Sequence, residues 1–138
     1  MTEKNSISPE IWGPTFWKVF HVTAFGYPDS PNKEDKVSYQ HFYTNFTKVL
    51  PCDTCSHSAQ RSILKTDWEY TLSTRERLIK WTYEFHNEVN KKLGKKSPSF
   101  EDFFDNALIF KSPSECSNLV QNIIIVILLL LLIYNLLF

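Results

Sequence analysis

The chain has 138 residues, fifteen Lys and Arg against fifteen Asp and Glu, and three cysteines. This length suits one domain, and the zero formal net charge argues against a nucleic-acid partner held by bulk electrostatics. Three cysteines are too few, and odd in number, for a scaffold of paired disulfides, so cysteine should be reactive rather than structural. Aromatic residues form 15% of the chain, more than a small helical core needs, so some rings should face a flat ligand.

The predicted helices follow a polar segment, residues 1–9, that lacks the apolar core of a secretory signal. The chain should therefore be made and kept in the cytosol until membrane insertion. Gly13 and Pro14 mark the start of helix one, because proline is tolerated in the first turn, and Gly26 marks its end. Between these points the aromatic residues follow a helical spacing.

Helices two and three lie on either side of a proline. After the breaker stretch 27–31, apolar residues in the range 39–50 recur at i, i+3, i+4 and i+7, which predicts helix two. The aromatic residues of this helix need no ligand to explain them, and we assign them to the core or a dimer interface. Pro51 interrupts the pattern, which resumes over 52–65 as helix three.

Two capping patterns predict the last helices of the domain. Ser73 and Glu76 have the spacing of a capping box before the longest helix, helix four, which Gly94 ends. Ser99 and Asp102 repeat that spacing before a short fifth helix rich in phenylalanine. No alternating strand pattern occurs, so the predicted fold class is all-α.

The last segment, residues 119–138, has no charged residue and is long enough for a helix to cross a bilayer core. A domain this small has nowhere to bury a helix that is apolar on every face, so we predict a C-terminal membrane anchor. Lys95, Lys96 and Lys111 precede this segment and nothing basic follows it, which places the soluble domain on the cytoplasmic side.

The sequence Cys52-Asp53-Thr54-Cys55 is a CxxC motif at the predicted start of helix three. At that position two sulfurs can meet within bonding distance, and the helix dipole and free amides favour a thiolate. Spacing alone leaves open a redox pair, half of a zinc site, or chance. The potential zinc partners lie on different predicted helices without a compact second pair; they are His21, His41, His57 and His86.

A dithiol that is oxidised repeatedly must pass two electrons onward each time, and a flavin could accept them. Three segments, IWGPTFWKVFH, LPCDTC and FHNEVNKKLGK, together resemble the Erv/ALR family of FAD-linked sulfhydryl oxidases, in the family's order. The resemblance covers roughly residues 11–108. It implies a four-helix bundle with a short fifth helix, FAD at the mouth of the bundle, and a homodimer.

The resemblance also implies which residues contact FAD. They are Gly13, Trp17 and His21 on helix one, and His86, Asn87, Val89, Asn90, Lys92 and Lys95 on helix four. Taken singly, such a tryptophan is more often core, such a histidine is more often satisfied internally, and such lysines more often form a solvated helix end. Only their combination favours a cofactor site, in which the lysines would face the phosphates.

The family pattern gives Cys52 the attack of substrate and gives Cys55 the contact with the flavin. The chain lacks the second cysteine pair and the structural cysteines of many cellular members, and Tyr83 stands where some relatives have a structural cysteine. It therefore resembles the short members encoded by large cytoplasmic DNA viruses. Cys116 could be a one-cysteine shuttle, an intersubunit bridge, a lipidation site or inert.

These observations predict four regions: a polar segment 1–9, an FAD-binding sulfhydryl oxidase domain 10–110, a linker 111–118 and a transmembrane anchor 119–138. The predicted reaction takes two thiols and O2 to a disulfide and H2O2, with no metal. The predicted substrates are thiol-containing proteins, of the thioredoxin-like or virion class, and the anchor would sit in a virion or host membrane. The alternative is a membrane-anchored, zinc-binding helical adaptor without catalysis.

Overall fold

The computed structural model describes residues 7–108, together with Ile125 and Ile127. Within residues 7–108 every regular element is helical, which confirms the all-α prediction. The helices are α1 (Pro9–Phe25), α2 (Lys33–Lys48), α3 (Asp53–Ile63), α4 (Trp68–Thr71), α5 (Arg75–Lys92) and α6 (Phe100–Leu108). Of these, α1 packs chiefly on α5, and α2 packs on α3. They correspond to the four long helices and the short fifth helix that were predicted, with α4 as an added single turn.

The start of α1 differs from its prediction. The helix begins at Pro9, with Ser8 before it, so Gly13 and Pro14 lie inside the helix rather than at its first turn. Pro9 takes the first helical position, where a missing N–H costs nothing. Pro14 has no N–H to donate to the carbonyl of Glu10 one turn earlier, so the helix lacks one backbone hydrogen bond. Because this loss is unfavourable, the sequence pattern placed Pro14 at the start of the helix. The end at Gly26 is as predicted.

Two local elements were not predicted. Asn32 forms a capping box with Asp35 at the start of α2, where its side chain accepts from the Asp35 amide at 3.0 Å. Asp67 caps α4 by accepting from the Tyr70 amide at 3.1 Å. Neither cap has the Ser/Thr-x-x-Glu/Gln form that most clearly marks a helix start.

The start of α5 is one residue later than predicted. Thr74, not Ser73, is the N-cap, and its hydroxyl accepts from the Arg77 amide at 3.3 Å. The expected capping box at Ser73 does not form, because the Ser73 hydroxyl donates to the Tyr70 carbonyl at 2.6 Å. The predicted stop at Gly94 is confirmed, since this residue has a φ of 65°, in the left-handed region that favours glycine.

Side-chain contacts and one hydrogen bond pack the helix α6 against α5. Ser99 accepts from the Asp102 amide at 3.1 Å, as the capping pattern predicts. Tyr83 of α5 donates its hydroxyl to the Pro98 carbonyl at 2.8 Å, and its ring centroid lies 5.2 Å from that of Phe103. Ring packing and one hydrogen bond from Tyr83 therefore hold α6 against α5.

An aromatic core joins the helices. Tyr43 of α2 is fully buried and donates its hydroxyl to the Phe20 carbonyl of α1 at 3.1 Å. Tyr27 is also fully buried and donates to the Leu72 carbonyl at 2.8 Å. Phe46 of α2 is partly buried against Phe20, which supports a core role for the aromatic stripe of that helix. The buried hydroxyls thus have acceptors, as a close-packed core requires.

The chain divides into two units, Met1–Ala107 and Leu108–Phe138. No helix among the described residues is both long and apolar enough to cross a membrane. The predicted linker 111–118 and anchor 119–138 lie outside the described residues, apart from Ile125 and Ile127.

Candidate active site

The CxxC motif forms a disulfide at the start of α3. Cys52 and Cys55 are joined through their sulfurs, with their Cα atoms 5.3 Å apart. Cys52 is the N-cap residue, with extended backbone, and Cys55 lies in the first turn. The prediction that this pair sits at a helix N-terminus is confirmed.

Backbone and side-chain donors surround the sulfur of Cys52. The Cys55 amide donates to Cys52 Sγ at 3.2 Å, and the Thr54 hydroxyl lies 3.4 Å from the same atom. These donors and the positive end of the helix dipole would stabilise a thiolate at Cys52. The Cys52 residue is only 7% exposed, whereas Cys55 is intermediate in exposure.

A second set of groups, on α1 and α5, comes together around two histidines. Nε2 of His21 lies 2.9 Å from Nδ1 of His86, and Nδ1 of His21 lies 3.2 Å from the Thr82 hydroxyl. That hydroxyl donates to the Ile79 carbonyl at 2.8 Å, so it accepts from His21 Nδ1–H. His21 Nε2 must then accept from His86 Nδ1–H. Both rings are neutral, and Nε2 of His86 carries a lone pair that can accept from a ligand.

The electrostatics agree with neutral rings. Burial, with His86 as a second cause, lowers the pKa of His21 to about 3. Burial, with the positive charge of Lys95 as a second cause, lowers the pKa of His86 to about 4. Desolvation disfavours a charged imidazole, so both histidines remain uncharged near neutral pH.

Trp17 stacks on this pair. Its ring centroid lies 3.8 Å from that of His86, with an interplanar angle of 8°. The ring of Phe103 from α6 meets His21 edge-on, at 4.7 Å. The site therefore presents flat aromatic surface beside a hydrogen-bond acceptor, which suits a flat heterocyclic ligand.

Gly13, one turn before Trp17, has space beside it. A Cβ added at this residue would meet no atom within 4 Å, so packing among the described residues does not explain a glycine here. Glycine inside a helix costs roughly 1 kcal/mol relative to alanine. Close approach of a ligand to the backbone of α1 would account for that cost.

The remaining predicted site residues lie on α5 or just beyond it. Asn87, Val89 and Asn90 are partly buried, and Asn90 Nδ2 lies 3.5 Å from the Ser97 hydroxyl. Lys95 is exposed, yet close enough for its charge to act on His86. The ammonium of Lys92 instead pairs with the Glu88 carboxylate, at 2.7 Å.

The structure thus brings together Trp17, His21 and His86, with the charge of Lys95 nearby. Sequence reasoning did not identify Thr82 or Phe103 as part of the site. Thr82 precedes His86 by one helical turn, and this spacing was the available signal. Contact between Phe103 and His21 is long-range and had no local signal. Within residues 7–108, no three potential metal ligands cluster as a zinc site would require.

The sequence matches the Erv1 / Alr family over residues 14–111. One relative is the "Probable FAD-linked sulfhydryl oxidase R368" of Acanthamoeba polyphaga mimivirus. It is 39% identical over 97 residues, which cover 70% of this chain and 68% of that protein. An FAD-linked sulfhydryl oxidase of African swine fever virus (isolate Pig/Kenya/KEN-50/1950) is 38% identical over 92 residues, 67% of this chain and 76% of the relative. The FAD binding domain of Erv1 from Saccharomyces cerevisiae superposes with a TM-score of 0.63, at 30% identity, over 67% of this chain and 87% of that one.

The neutral histidine pair predicts acid sensitivity. The folded pKa values of His21 and His86 lie below the ordinary 6.5, so the unfolded chain binds more protons between pH 6.5 and about 4. Stability is therefore fully present above pH 6.5 and falls with decreasing pH, by up to about 1.4 kcal/mol per pH unit for each proton, and by less for the partly exposed His86. Urea midpoints of the purified protein at pH 7 and pH 5 should show this loss.

The exposed histidines provide the control for this experiment. His41→Gln and His57→Gln should keep the difference between pH 7 and pH 5, because both side chains are solvent-exposed. Equal midpoints at the two pH values, or a difference removed by the control variants, would contradict a neutral buried pair.

Proposed function

We propose a catalytic function from one premise, that the chain belongs to the Erv1 / Alr family. The chain is an FAD-dependent thiol oxidase, which forms disulfide bonds in thiol-containing proteins. The observation that carries this function is the Cys52–Cys55 disulfide at the N-terminus of α3, within an all-α fold like that of the Erv1 FAD binding domain. The zinc-adaptor alternative gains no support here, because each sulfur is already bonded to the other.

The reaction begins with thiol–disulfide exchange. A substrate thiolate attacks Cys52 Sγ, the bond between the two enzyme sulfurs breaks, and Cys55 leaves as a thiolate. A second substrate thiolate attacks the substrate sulfur of the mixed disulfide, and Cys52 leaves as a thiolate. The substrate has then lost two electrons and two protons, and the enzyme pair holds the two electrons as a dithiol.

The assignment of attack to Cys52 comes from the family pattern, and its hydrogen bonds support it. The second exchange is faster when the leaving sulfur is a stabilised thiolate. The Cys55 amide and the Thr54 hydroxyl are placed to give this stabilisation. Because Cys52 is only 7% exposed, we propose that substrates present their thiols on flexible, exposed segments.

FAD is the cofactor, and the described residues fit it. When bound, FAD supplies the acceptor for the two electrons of the dithiol and passes them to O2, which gives H2O2. We propose that Gly13, Trp17 and His21 of α1 hold it together with α5 and the residues that follow. The α5 group is His86, Asn87, Val89, Asn90, Lys92 and Lys95. The supporting features are the aromatic surface of Trp17 and the acceptor on His86.

The cysteine pair can be tested directly. Cys52→Ser and Cys55→Ser should each lower O2 consumption with dithiothreitol by at least about a hundredfold, since the exchange needs both sulfurs. Both variants should retain the visible absorption of bound flavin. Cys116→Ser is the matched control and should keep its activity, because dithiothreitol reaches the Cys52–Cys55 pair without a shuttle. Full activity in both single variants, or a colourless protein that binds stoichiometric zinc, would overturn the proposal.

Gly13→Ala should change stability and cofactor affinity in opposite directions. The methyl group meets no atom, so the flavin-free protein should gain roughly 1 kcal/mol of helix stability. FAD should bind about tenfold more weakly, because the methyl group enters the space that the ligand approaches. Urea unfolding and FAD titration measure the two effects. Gly26→Ala, at the end of α1, should leave FAD affinity unchanged; equal FAD affinity in Gly13→Ala would remove Gly13 from the site.

We also propose that residues 119–138 cross a membrane and that the oxidase domain lies on its cytoplasmic side. The support is the uncharged sequence of this segment and the lysines before it. The full chain should stay with membranes after alkaline carbonate extraction, whereas a chain ending at residue 113 should be released. Release of the full chain would refute the anchor.

The physiological substrates and the oligomer are proposals of the same kind. A cytosol-facing oxidase of this short viral type would supply disulfides to virion proteins. The oxidase domain is proposed to form a homodimer. Ile11, Val19 and Val22 on α1 are each at least 40% exposed, and such apolar residues on one helix could be covered by a second copy. A monomer by sedimentation at micromolar concentration would count against the dimer.

A further inference from the structure

Ile7, which lies just before α1, is hydrogen-bonded to the residue that precedes the redox pair. The Ile7 amide donates to the Pro51 carbonyl at 3.0 Å. Pro51 lies between α2 and α3 and is joined directly to Cys52. A backbone hydrogen bond from Ile7 therefore holds the peptide that precedes Cys52, some forty-five residues later in the sequence.

Trp12 holds Ile7 in this position. Its indole N–H donates to the Ile7 carbonyl at 2.9 Å. The indole is partly buried, and it packs edge-on against Phe16 with 5.1 Å between ring centroids. Phe16 in turn lies 5.3 Å from Phe46 of α2. Core packing thus holds the side chain of Trp12 in place. Two hydrogen bonds, from Trp12 to Ile7 and from Ile7 to Pro51, then form a link that begins at this fixed side chain.

We propose that Trp12 is a positioning residue for the redox disulfide, and that it acts through Ile7 and Pro51. This inference rests on the proposed function, in which the Cys52–Cys55 bond opens and closes. Cys55 is held in α3 by the backbone ladder of the helix, whereas Cys52 is the N-cap, whose carbonyl accepts from the Ser56 amide at 2.9 Å but whose preceding peptide lies outside the helix. When the sulfur–sulfur bond opens, Cys52 loses its covalent tie to Cys55. The link from Trp12 then keeps the peptide before Cys52 in place.

The link acts on the redox equilibrium because it restrains one redox state more than the other. In the disulfide, the bond itself restrains Cys52, so the link adds little. In the dithiol, the carbonyl of Cys52 still accepts from Ser56, but the peptide before Cys52 gains conformational freedom unless the link limits it. Restraint of the dithiol keeps the two thiols close together, raises their effective concentration and favours the disulfide. Loss of the link should therefore make the pair easier to reduce.

The reduction potential of the pair tests this inference without measuring catalysis. The full-chain holoenzyme is equilibrated anaerobically with glutathione buffers; two glutathione thiols supply two electrons and two protons and become glutathione disulfide. Alkylation and peptide mapping then give the reduced fraction of the peptide that contains Cys52 and Cys55. Trp12→Phe keeps a ring but removes the indole donor. It should shift the equilibrium toward the dithiol by about fivefold, or ~20 mV at ~30 mV per tenfold.

Trp81→Phe is the matched control. It removes another indole hydrogen bond, to the Thr66 hydroxyl at 3.2 Å, and it should leave the potential unchanged. Ile7→Pro removes the amide donor at the other end of the link and should give the same shift as Trp12→Phe. The double variant should shift no further than either single variant, because both changes break one link.

The outcomes separate this inference from the proposed function. An unchanged potential in Trp12→Phe and Ile7→Pro, or an equal shift in Trp81→Phe, would overturn the role of Trp12 even if the chain is a thiol oxidase. Additive shifts in the double variant would also overturn it, because they would mean two independent effects. A redox-responsive pair with the predicted shifts, in a protein without oxidase activity, would support the positioning role and reject the oxidase.

Discussion

The hydrogen bond that the Cys55 amide donates to the sulfur of Cys52 makes the redox pair part of the N-terminal cap of α3. A helix needs an acceptor for the free amides of its first turn, and this acceptor is usually a hydroxyl or carboxylate. Here it is one sulfur of the disulfide. The start of the helix and the position of the redox pair are consequently one structural feature. Pro51 before it keeps the preceding helix from continuing through the pair.

The pairing of α1 with α5 imposes a comparable constraint on the second part of the site. Trp17, His21 and His86 meet only because these two helices pack closely, and Thr82 fixes the direction of the hydrogen bonds between them. Burial keeps both imidazoles neutral, so the site offers an acceptor and aromatic surface instead of positive charge. Positive charge near His86 comes from Lys95, in the segment that follows α5.

Local sequence patterns predicted the helices well where one physical signal dominated. Apolar residues at helical spacing located α2, Gly94 marked the end of α5, and Pro51 placed the cysteine pair at a helix start. The same reasoning misplaced the start of α1, because Pro14 lies in the interior of the helix, where proline is unfavourable. It missed Thr82, although the spacing of one helical turn before His86 was an available signal. It could not find the hydrogen bond between Ile7 and Pro51 or the contact of Phe103 with His21, because both depend on which distant segments pack together.

The helix α6 is held by Tyr83, so its packing does not depend on the reactive disulfide. In residues 7–108 the only disulfide is the one between Cys52 and Cys55, and the helices around it are held by rings and hydrogen bonds. A cellular reductant could open the catalytic pair without loosening the architecture that surrounds it. The packing of the helices in residues 7–108 thus does not require an oxidised cysteine pair, and each reduction event is confined to the pair that turns over.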